Sequence, residues 1–301
     1  GRGYRRPLES RHPDDPVTRS RRRRHAPTGW PESPLRETVC SPTVESEYLT
    51  LTADGPVTTL TLDRPERRNA LSLECLRAIA AALDEVAESA ARVLVIAGTG
   101  PAFSAGHDLA EMSAQRDEAF FDELFGTCVR VMSRLHEIPQ PVIAKIDGVA
   151  TAAGCQLVAS CDLAVASETS RFATPGVNIG LFCSTPMVPV HRAVGTKRAL
   201  ELLLTGDPID AGTALAWGLV NAVVPAAALD EAVDDLARRL IRSSAAVFAL
   251  GKRAFWAQAG LDEAAAYALA EPVMVANALH PDADEGMRAF LEKRAATWTT
   301  G

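Results

Sequence analysis

Between residues 57 and 166, short β-type segments alternate with helical segments, and the connections between them are short. Four runs have the period-two or continuous apolar pattern of strands, at residues 57–62, 92–97, 142–146 and 163–166. Between them, helices are predicted after an N-cap at Ser72, over residues 117–137, and after Thr151-Ala152-Ala153-Gly154. Such alternation predicts an α/β architecture.

The pattern changes at about residue 186 and is helical from there on. Further helices are predicted over residues 198–205, 211–217, 229–242, 245–256 and 261–278. The α/β core is therefore expected to be followed by a helical C-terminal part. A chain of 301 residues can bury a large core without help from disulfides or metals.

The charges are divided unevenly along the chain. Residues 1–45 hold ten of the 31 basic residues, all Arg, and six of the 38 acidic ones, so they carry +4 and the remainder −11. This segment is also rich in Pro and Ser and lacks aliphatic periodicity, which predicts a disordered tail. Its four consecutive arginines at residues 21–24 fit a nucleic-acid patch or a targeting signal, but a solvated tail or transit-like leader is the simpler interpretation.

Composition excludes several classes of protein. No apolar run reaches the roughly 18 residues of a membrane span, so we expect no membrane partner. Because the net charge is −7 and the aromatic content is 5%, we do not expect the protein to bind nucleic acid. The six cysteines and six histidines show no metal-ligand spacing, so we expect no metal site and interpret the cysteines as small buried residues of a reducing compartment.

Two turns rich in small residues follow predicted strands, at residues 103–109 and 148–155. Backbone N–H groups at such strand-to-helix turns have no partner in the helix, and small residues let a ligand approach them. Two turns from different strands can therefore aim two donors at one oxygen atom. The alternative interpretation is tight packing of strand against helix with no ligand.

Seven motifs resemble the enoyl-CoA hydratase/isomerase family, also called the crotonase family. They are DRPERRNALS (63–72), FSAGHDL (103–109), DGVATAAGCQL running on to SCD (147–162), FATP (172–175), TGDPI (205–209), WGLVN (217–221) and EGMRAFLEKR (285–294). The resemblance covers the chain from about Glu45 to its end. Residues 154–186 are most similar to the mitochondrial enoyl-CoA hydratase-domain-containing members, which lack both catalytic glutamates.

This resemblance implies a crotonase-like spiral of β-β-α units over residues 46–240. A helical region over residues 241–301 would serve trimerisation, giving a homotrimer or a dimer of trimers. The implied ligand is an acyl-CoA thioester, and because CoA is part of that substrate, no separate cofactor is expected. A role in lipid or acyl-CoA metabolism follows, in the cytoplasm of a bacterium or the mitochondrial matrix of a eukaryote.

The resemblance also assigns site residues. The family's two oxyanion-hole donors fall on the backbone N–H groups of Ala105 and Ala153. Such donors stabilise the enolate oxygen of a thioester, and one is worth about 10²–10³ in rate. The CoA-binding positions fall on Arg67, Arg68, Ala70, Ala105, Gly106, His107, Asp108 and Gly154.

The chain departs from the family at both glutamates that activate water and protonate the α-carbon. Those positions hold Gln156 and Gly176, neither of which exchanges a proton at neutral pH. One general acid or base contributes about 10²–10⁴, so efficient hydration is not expected.

Two other side chains are candidates for proton transfer. The His107 imidazole titrates near neutrality, although in the family this side chain tends to line the CoA channel. Ser184 lies near a position that is acidic in some family isomerases, but unassisted serine is a poor base. The leading hypothesis is a hydratase/isomerase-like protein with an oxyanion hole. The alternative is a catalytically silent acyl-CoA binder or a modifier subunit.

Overall fold

The structure is a computed structural model that describes residues 46–299, so the predicted disordered tail at residues 1–45 lies outside the described residues. Its larger sheet has six strands in the order β1 (Leu49–Asp54), β2 (Val57–Leu62), β3 (Val93–Gly98), β5 (Val142–Ile146), β7 (Leu163–Ser167) and β10 (Ala222–Val224). The smaller sheet has four short strands in the order β4 (Ala102–Ser104), β6 (Val149–Thr151), β8 (Arg171–Ala173) and β9 (Ile209–Asp210).

The two sheets are connected by repeated β-β-α units. After the antiparallel pair β1-β2, the larger sheet is parallel, and each of the pairs β3-β4, β5-β6 and β7-β8 gives one strand to each sheet. The helices that follow strand pairs in this region are α1 (Leu73–Glu88), α2 (Leu109–Ala114), α3 (Glu118–Glu137), α4 (Ala153–Ser160) and α5 (Met187–Val194). This arrangement confirms the α/β spiral expected from the sequence.

Further helices complete the described chain. They are α6 (Thr196–Thr205), α7 (Ala211–Trp217), α8 (Leu229–Ile241), α9 (Ala245–Gln258), α10 (Glu263–Ala278) and α11 (Pro281–Glu292). Three short 3₁₀-helices occur at Pro65–Arg67, Pro175–Ile179 and Ala226–Ala228. No helix in residues 46–299 is long and apolar enough to cross a membrane.

The core occupies both faces of the larger sheet. The main cluster joins the sheet to α1, α3 and α4, and a second cluster packs α8 against β3, β5 and β7. Strand β3 is therefore covered on both faces, and every residue from Val93 to Ala97 is buried. This double burial explains why residues 92–97 form a continuous apolar run instead of an alternating pattern.

The predicted N-cap of α1 is confirmed. The Ser72 hydroxyl accepts the Cys75 N–H at 3.2 Å, which gives one otherwise unpaired donor of the first turn a partner. The buried face of α1 then packs against α3 through Leu76, Ile79 and Leu83. These contacts fix the turn that precedes α1, and that turn forms one side of the candidate site.

The five cysteines of the described chain are all buried and reduced. Burial raises the pKa of Cys75, Cys128 and Cys155 to about 12. These thiols are protonated at neutral pH and act as small apolar core residues.

Candidate active site

The first glycine turn follows β4 and is fastened to the turn before α1. The Ala105 N–H donates to the Arg68 carbonyl at 2.9 Å, and the Leu71 N–H donates to the Gly106 carbonyl at 2.8 Å. A single parallel β-bridge joins Leu71 to His107. These backbone bonds hold the turn in one conformation.

The second glycine turn joins β6 to α4 and contains a strained residue. Ala152 has φ 51° and ψ −119°, and its N–H donates to the Ala173 carbonyl at 2.9 Å. Such a conformation costs a residue with a Cβ about 1–3 kcal/mol. Helix α4 begins at the next residue, Ala153, whose N–H has no partner in the helix and no acceptor elsewhere in residues 46–299.

These two turns are in direct contact, and two glycines make that contact possible. A Cβ on Gly106 would lie 2.9 Å from the Ala152 Cβ and 3.0 Å from the Ala153 nitrogen. A Cβ on Gly154 would lie 2.3 Å from the Ser104 carbonyl oxygen. Side chains at either glycine would separate the turns, so the close approach requires the absence of a Cβ.

One of the two predicted oxyanion donors has a hydrogen-bond partner within the protein. The sequence assigned this role to the Ala105 N–H, but the Arg68 carbonyl already occupies that group at 2.9 Å. In the bridge between Leu71 and His107, the hydrogen bonds to Leu71 are made by the residues before and after His107. The N–H of His107 itself therefore points away from Leu71. No described acceptor binds it. His107 and Ala153 therefore each present an unpartnered N–H group, one on each turn.

The side chain of His107 is a neutral imidazole in a single tautomer. Its Nδ1 lies 3.2 Å from the Leu71 carbonyl oxygen, which can only accept, so Nδ1 carries the proton and donates. Burial lowers the pKa of His107, and the weaker effect of the Leu71 hydrogen bond opposes this. Nε2 is buried without a partner among residues 46–299.

Helix α3 forms a wall that His107 and Gln156 share. The His107 ring meets Phe125 edge-on, with 5.4 Å between ring centroids. The Cys128 thiol faces Oε1 of the buried Gln156 at 4.0 Å. Because Phe125 and Cys128 are three residues apart on α3, the side chains of His107 and Gln156 contact the same face of that helix.

A cavity of about 700 Å³ lies between α3, α4, α5 and α9. Gln156 and Ser184 both line it, whereas His107, Ala153 and Gly176 are not part of its lining. Ser184 is exposed, and its hydroxyl donates to the Phe182 carbonyl at 3.3 Å. No basic side chain is bonded to that hydroxyl, so it is not activated as a base or nucleophile.

Gly176, at the position of the second family glutamate, has no room for a side chain. A Cβ there would lie 2.3 Å from the Leu181 carbonyl oxygen and 2.8 Å from the Cys183 Sγ. Burial raises the pKa of the Cys183 thiol, which keeps it protonated and excludes a thiolate nucleophile. A glutamate side chain therefore does not fit at this position unless the neighbouring backbone shifts.

The predicted CoA-binding residues have differing surroundings. Arg67 and Arg68 are exposed in the turn before α1, and Ala70 next to them is buried. The Asp108 carboxylate is the N-cap of α2, accepting the N–H groups of the second and third residues after it at 3.0 and 3.3 Å. Its visible role is therefore to start a helix.

Asn69 holds two segments of the site together. It lies in the motif at residues 63–72, but this role was not predicted. The buried Asn69 side chain accepts the Arg64 N–H at 2.9 Å and donates to the carbonyls of Thr99 and Ala102 at 2.9 and 2.8 Å. It thereby ties the arginine-bearing turn to the loop that precedes β4. Its partners are 30 and 33 residues away, so only the pattern of the motif could have singled it out.

Thr174 is a second residue that sequence reasoning missed. Its hydroxyl is buried and has no partner in the described chain. It follows Ala173, which pairs with Thr151 across β8 and β6, so it lies beside the start of α4. Buried polar atoms are normally paired, and an exception next to unpartnered N–H groups indicates a ligand or water position.

Comparisons with known proteins agree with this architecture. The sequence profile described as enoyl-CoA hydratase/isomerase matches residues 52–301. The rat protein "Enoyl-CoA hydratase domain-containing protein 3, mitochondrial" is 46% identical over 279 residues, covering 89% of this chain and 93% of the rat protein. A putative enoyl-CoA hydratase of Thermus thermophilus is 36% identical over 250 residues, covering 80% of this chain and 96% of that protein.

Solved structures show the same likeness. The crystal structure of human enoyl-CoA hydratase domain-containing protein 3 superposes with a TM-score of 0.81 at 45% identity, covering 84% of this chain and 100% of the human one. An enoyl-CoA hydratase structure from Mycobacterium smegmatis gives a TM-score of 0.82 at 45% identity, covering 84% of this chain and 99% of that chain. With the profile match and these likenesses, the chain belongs to the enoyl-CoA hydratase/isomerase family.

Proposed function

We propose that this protein binds acyl-CoA thioesters and stabilises the enolate form of the bound thioester. The observation that carries this proposal is the pair of unpartnered N–H groups, those of His107 and Ala153, on two turns in direct contact. When a thioester is deprotonated next to its carbonyl, negative charge moves onto the oxygen. Two fixed donors lower the energy of that charge because they need no reorganisation during the reaction.

The CoA moiety is assigned to the exposed turn that holds Arg67 and Arg68. This turn is fixed to the oxyanion turn by the bond from the Ala105 N–H to the Arg68 carbonyl, so a ligand can reach both. Arginine suits phosphate because its planar fork of donors matches two oxygens at once. CoA enters as part of the substrate. Similarity to mitochondrial relatives supports the mitochondrial matrix for a eukaryotic source, and the cytoplasm is proposed for a bacterial one.

Isothermal titration calorimetry with butyryl-CoA tests this function. Binding is expected with a dissociation constant of about 1 μM to 1 mM, the usual range for enzyme substrates. Replacing both arginines (Arg67→Ala with Arg68→Ala) should weaken it about tenfold or more, because a charged hydrogen bond contributes about 1.5–3 kcal/mol. The control Arg239→Ala removes an exposed arginine of α8 and should leave affinity unchanged. No detectable heat of binding for the wild-type protein would contradict the proposal.

The C-terminal helices favour assembly into a homotrimer or a dimer of trimers. Helices α9 and α10 contain no fully buried residue, yet they and α11 expose large apolar side chains, at Phe255, Tyr267, Met274, Leu279, Phe290 and Leu291. Leu279 and Phe290 are 81% and 82% exposed. Exposed apolar surface of this extent marks an interface. Light scattering should therefore give three or six times the 32.0 kDa chain mass, and a monomeric mass would contradict this assignment.

A further inference from the structure

We propose that the His107 imidazole is the base that removes and returns a proton at the α-carbon of the bound acyl thioester. This inference rests on the proposed function, since it requires the thioester oxygen to lie on the two unpartnered N–H groups. It replaces the missing glutamates with a side chain from the oxyanion turn itself. One residue would then hold the oxygen through its backbone and take the proton through its ring.

Ordinary bond lengths allow the His107 side chain to span the distance from its own backbone to the α-carbon of a bound thioester. An oxygen bound to the His107 N–H lies about 2.9 Å from that nitrogen. The α-carbon is two bonds from the oxygen, so it lies within about 5 Å of the His107 backbone. The imidazole starts at the same residue and spans a comparable distance.

The chemical state of the ring suits proton removal. The Leu71 carbonyl accepts from Nδ1, so the lone pair is at Nε2. That atom is shielded from solvent and has no partner among the described residues. An unpaired buried acceptor is unfavourable, and such exceptions in native structures call for a functional explanation.

The apolar surroundings of the ring keep it ready to accept a proton. Phe125 meets it edge-on, and Phe121 stacks on Phe125 with centroids 5.9 Å apart. Burial lowers the pKa of the His107 imidazole and so disfavours the charged imidazolium. The enolate formed in the reaction supplies the negative charge that compensates it.

The other candidate side chains of the described site lack this combination. Gln156 is not basic, and the Ser184 hydroxyl donates to a backbone carbonyl. The Cys183 thiol is held protonated by burial, and the Asp108 carboxylate caps α2. His107 alone among these residues combines a free lone pair with a place on the oxyanion turn.

The step balances without any added reagent. The Nε2 lone pair forms a bond to the α-proton as the carbon–hydrogen bond breaks. The electron pair of that bond becomes the carbon–carbon double bond of the enolate, and the carbonyl π pair moves to the oxygen between the N–H groups of His107 and Ala153. Return of the proton from the imidazolium to the α-carbon restores thioester and neutral ring.

Deuterium exchange tests this step separately from binding. Butyryl-CoA is incubated with the full-length protein in D₂O, and deuterium at the α-carbon is measured by mass spectrometry. Wild-type protein should catalyse incorporation, and His107→Gln should slow it by about 10²–10⁴ while calorimetry still detects butyryl-CoA binding, because the backbone donors remain. The control His191→Gln removes an exposed imidazole of α5 and should exchange at the wild-type rate.

A second variant guards against misfolding. His107→Ala should lose exchange and regain it when free imidazole is added, which a structural role would not produce. Wild-type exchange rates in His107→Gln would overturn the inference. Binding of butyryl-CoA without exchange in the wild type would overturn the inference and leave the proposed acyl-CoA binding standing. Absence of binding would overturn both.

Discussion

Crotonyl-CoA is expected to be hydrated at least about 10⁴-fold more slowly by this protein than by a family hydratase that carries both glutamates. Hydration needs one group to activate water and one to protonate the α-carbon. Gln156 and Gly176 supply neither, and the Ser184 hydroxyl at the cavity wall is not activated. Steady-state absorbance of the enoyl thioester, with a two-glutamate hydratase assayed in parallel, measures the difference.

The two glutamate positions are expected to respond differently to restoration. Gln156→Glu places a carboxyl group where a buried side chain of similar shape already fits, so the fold should persist. Turnover should remain at least about 100-fold below the hydratase because the second carboxyl group is still absent. Gly176→Glu meets the Leu181 carbonyl oxygen, 2.3 Å from the new Cβ, so the double variant should lose stability before it gains hydration. Wild-type turnover within tenfold of the reference hydratase would contradict this account.

Replacing Lys252 by Met is expected to destabilise the protein by about 3–5 kcal/mol, because it leaves the Asp162 charge without its counterion. Lys252 Nζ lies 2.6 Å from Asp162 Oδ2, and the two side chains are 8% and 17% exposed. The same ammonium donates to the Gln140 carbonyl at 2.7 Å, and Trp256 donates to Asp162 Oδ1 at 3.0 Å. These contacts anchor α9, which buries no residue fully, to the core.

Urea unfolding of three variants separates this ion pair from a general effect of losing a lysine. Lys145→Met breaks an exposed pair with Asp230, whose side chain is 83% exposed, and should cost about 1 kcal/mol or less. Adding Asp162→Asn to Lys252→Met should recover part of the loss, because the uncompensated charge is removed. Equal costs for Lys252→Met and Lys145→Met would show that the buried pair has no special role.

Most long elements of the fold were predicted, but the six-residue strand β1 and the twelve-residue helix α11 were not, and neither were the shortest strands. The predicted strands at 57–62 and 142–146 match β2 and β5, and the helix over 117–137 matches α3 within one residue. Strands β4, β6, β8 and β9 were missed because segments of two or three residues cannot show a period of two. They pair with partners distant in sequence, so tertiary contacts and not local pattern determine them.

The site was predictable at the level of motifs and not at the level of individual atoms. Both turns were located from their small residues, and their contact through Gly106 agrees with that prediction. The Ala105 N–H, predicted as one donor, is bonded to the Arg68 carbonyl, so the donor that we propose is the N–H two residues further on, at His107. Which N–H is free depends on the bridge between Leu71 and His107, a pairing across 36 residues that no local signal reveals. The backbone strain at Ala152 is equally invisible in sequence, since Ala is not expected at a positive φ.

A crystal structure with butyryl-CoA bound would locate the thioester oxygen. We expect that oxygen at about 3 Å from the backbone nitrogens of both His107 and Ala153, with the CoA phosphates on the side of Arg67 and Arg68. The Ala105 N–H should remain on the Arg68 carbonyl. A thioester oxygen bound elsewhere, or one held by Ala105 after that backbone bond has broken, would contradict the account.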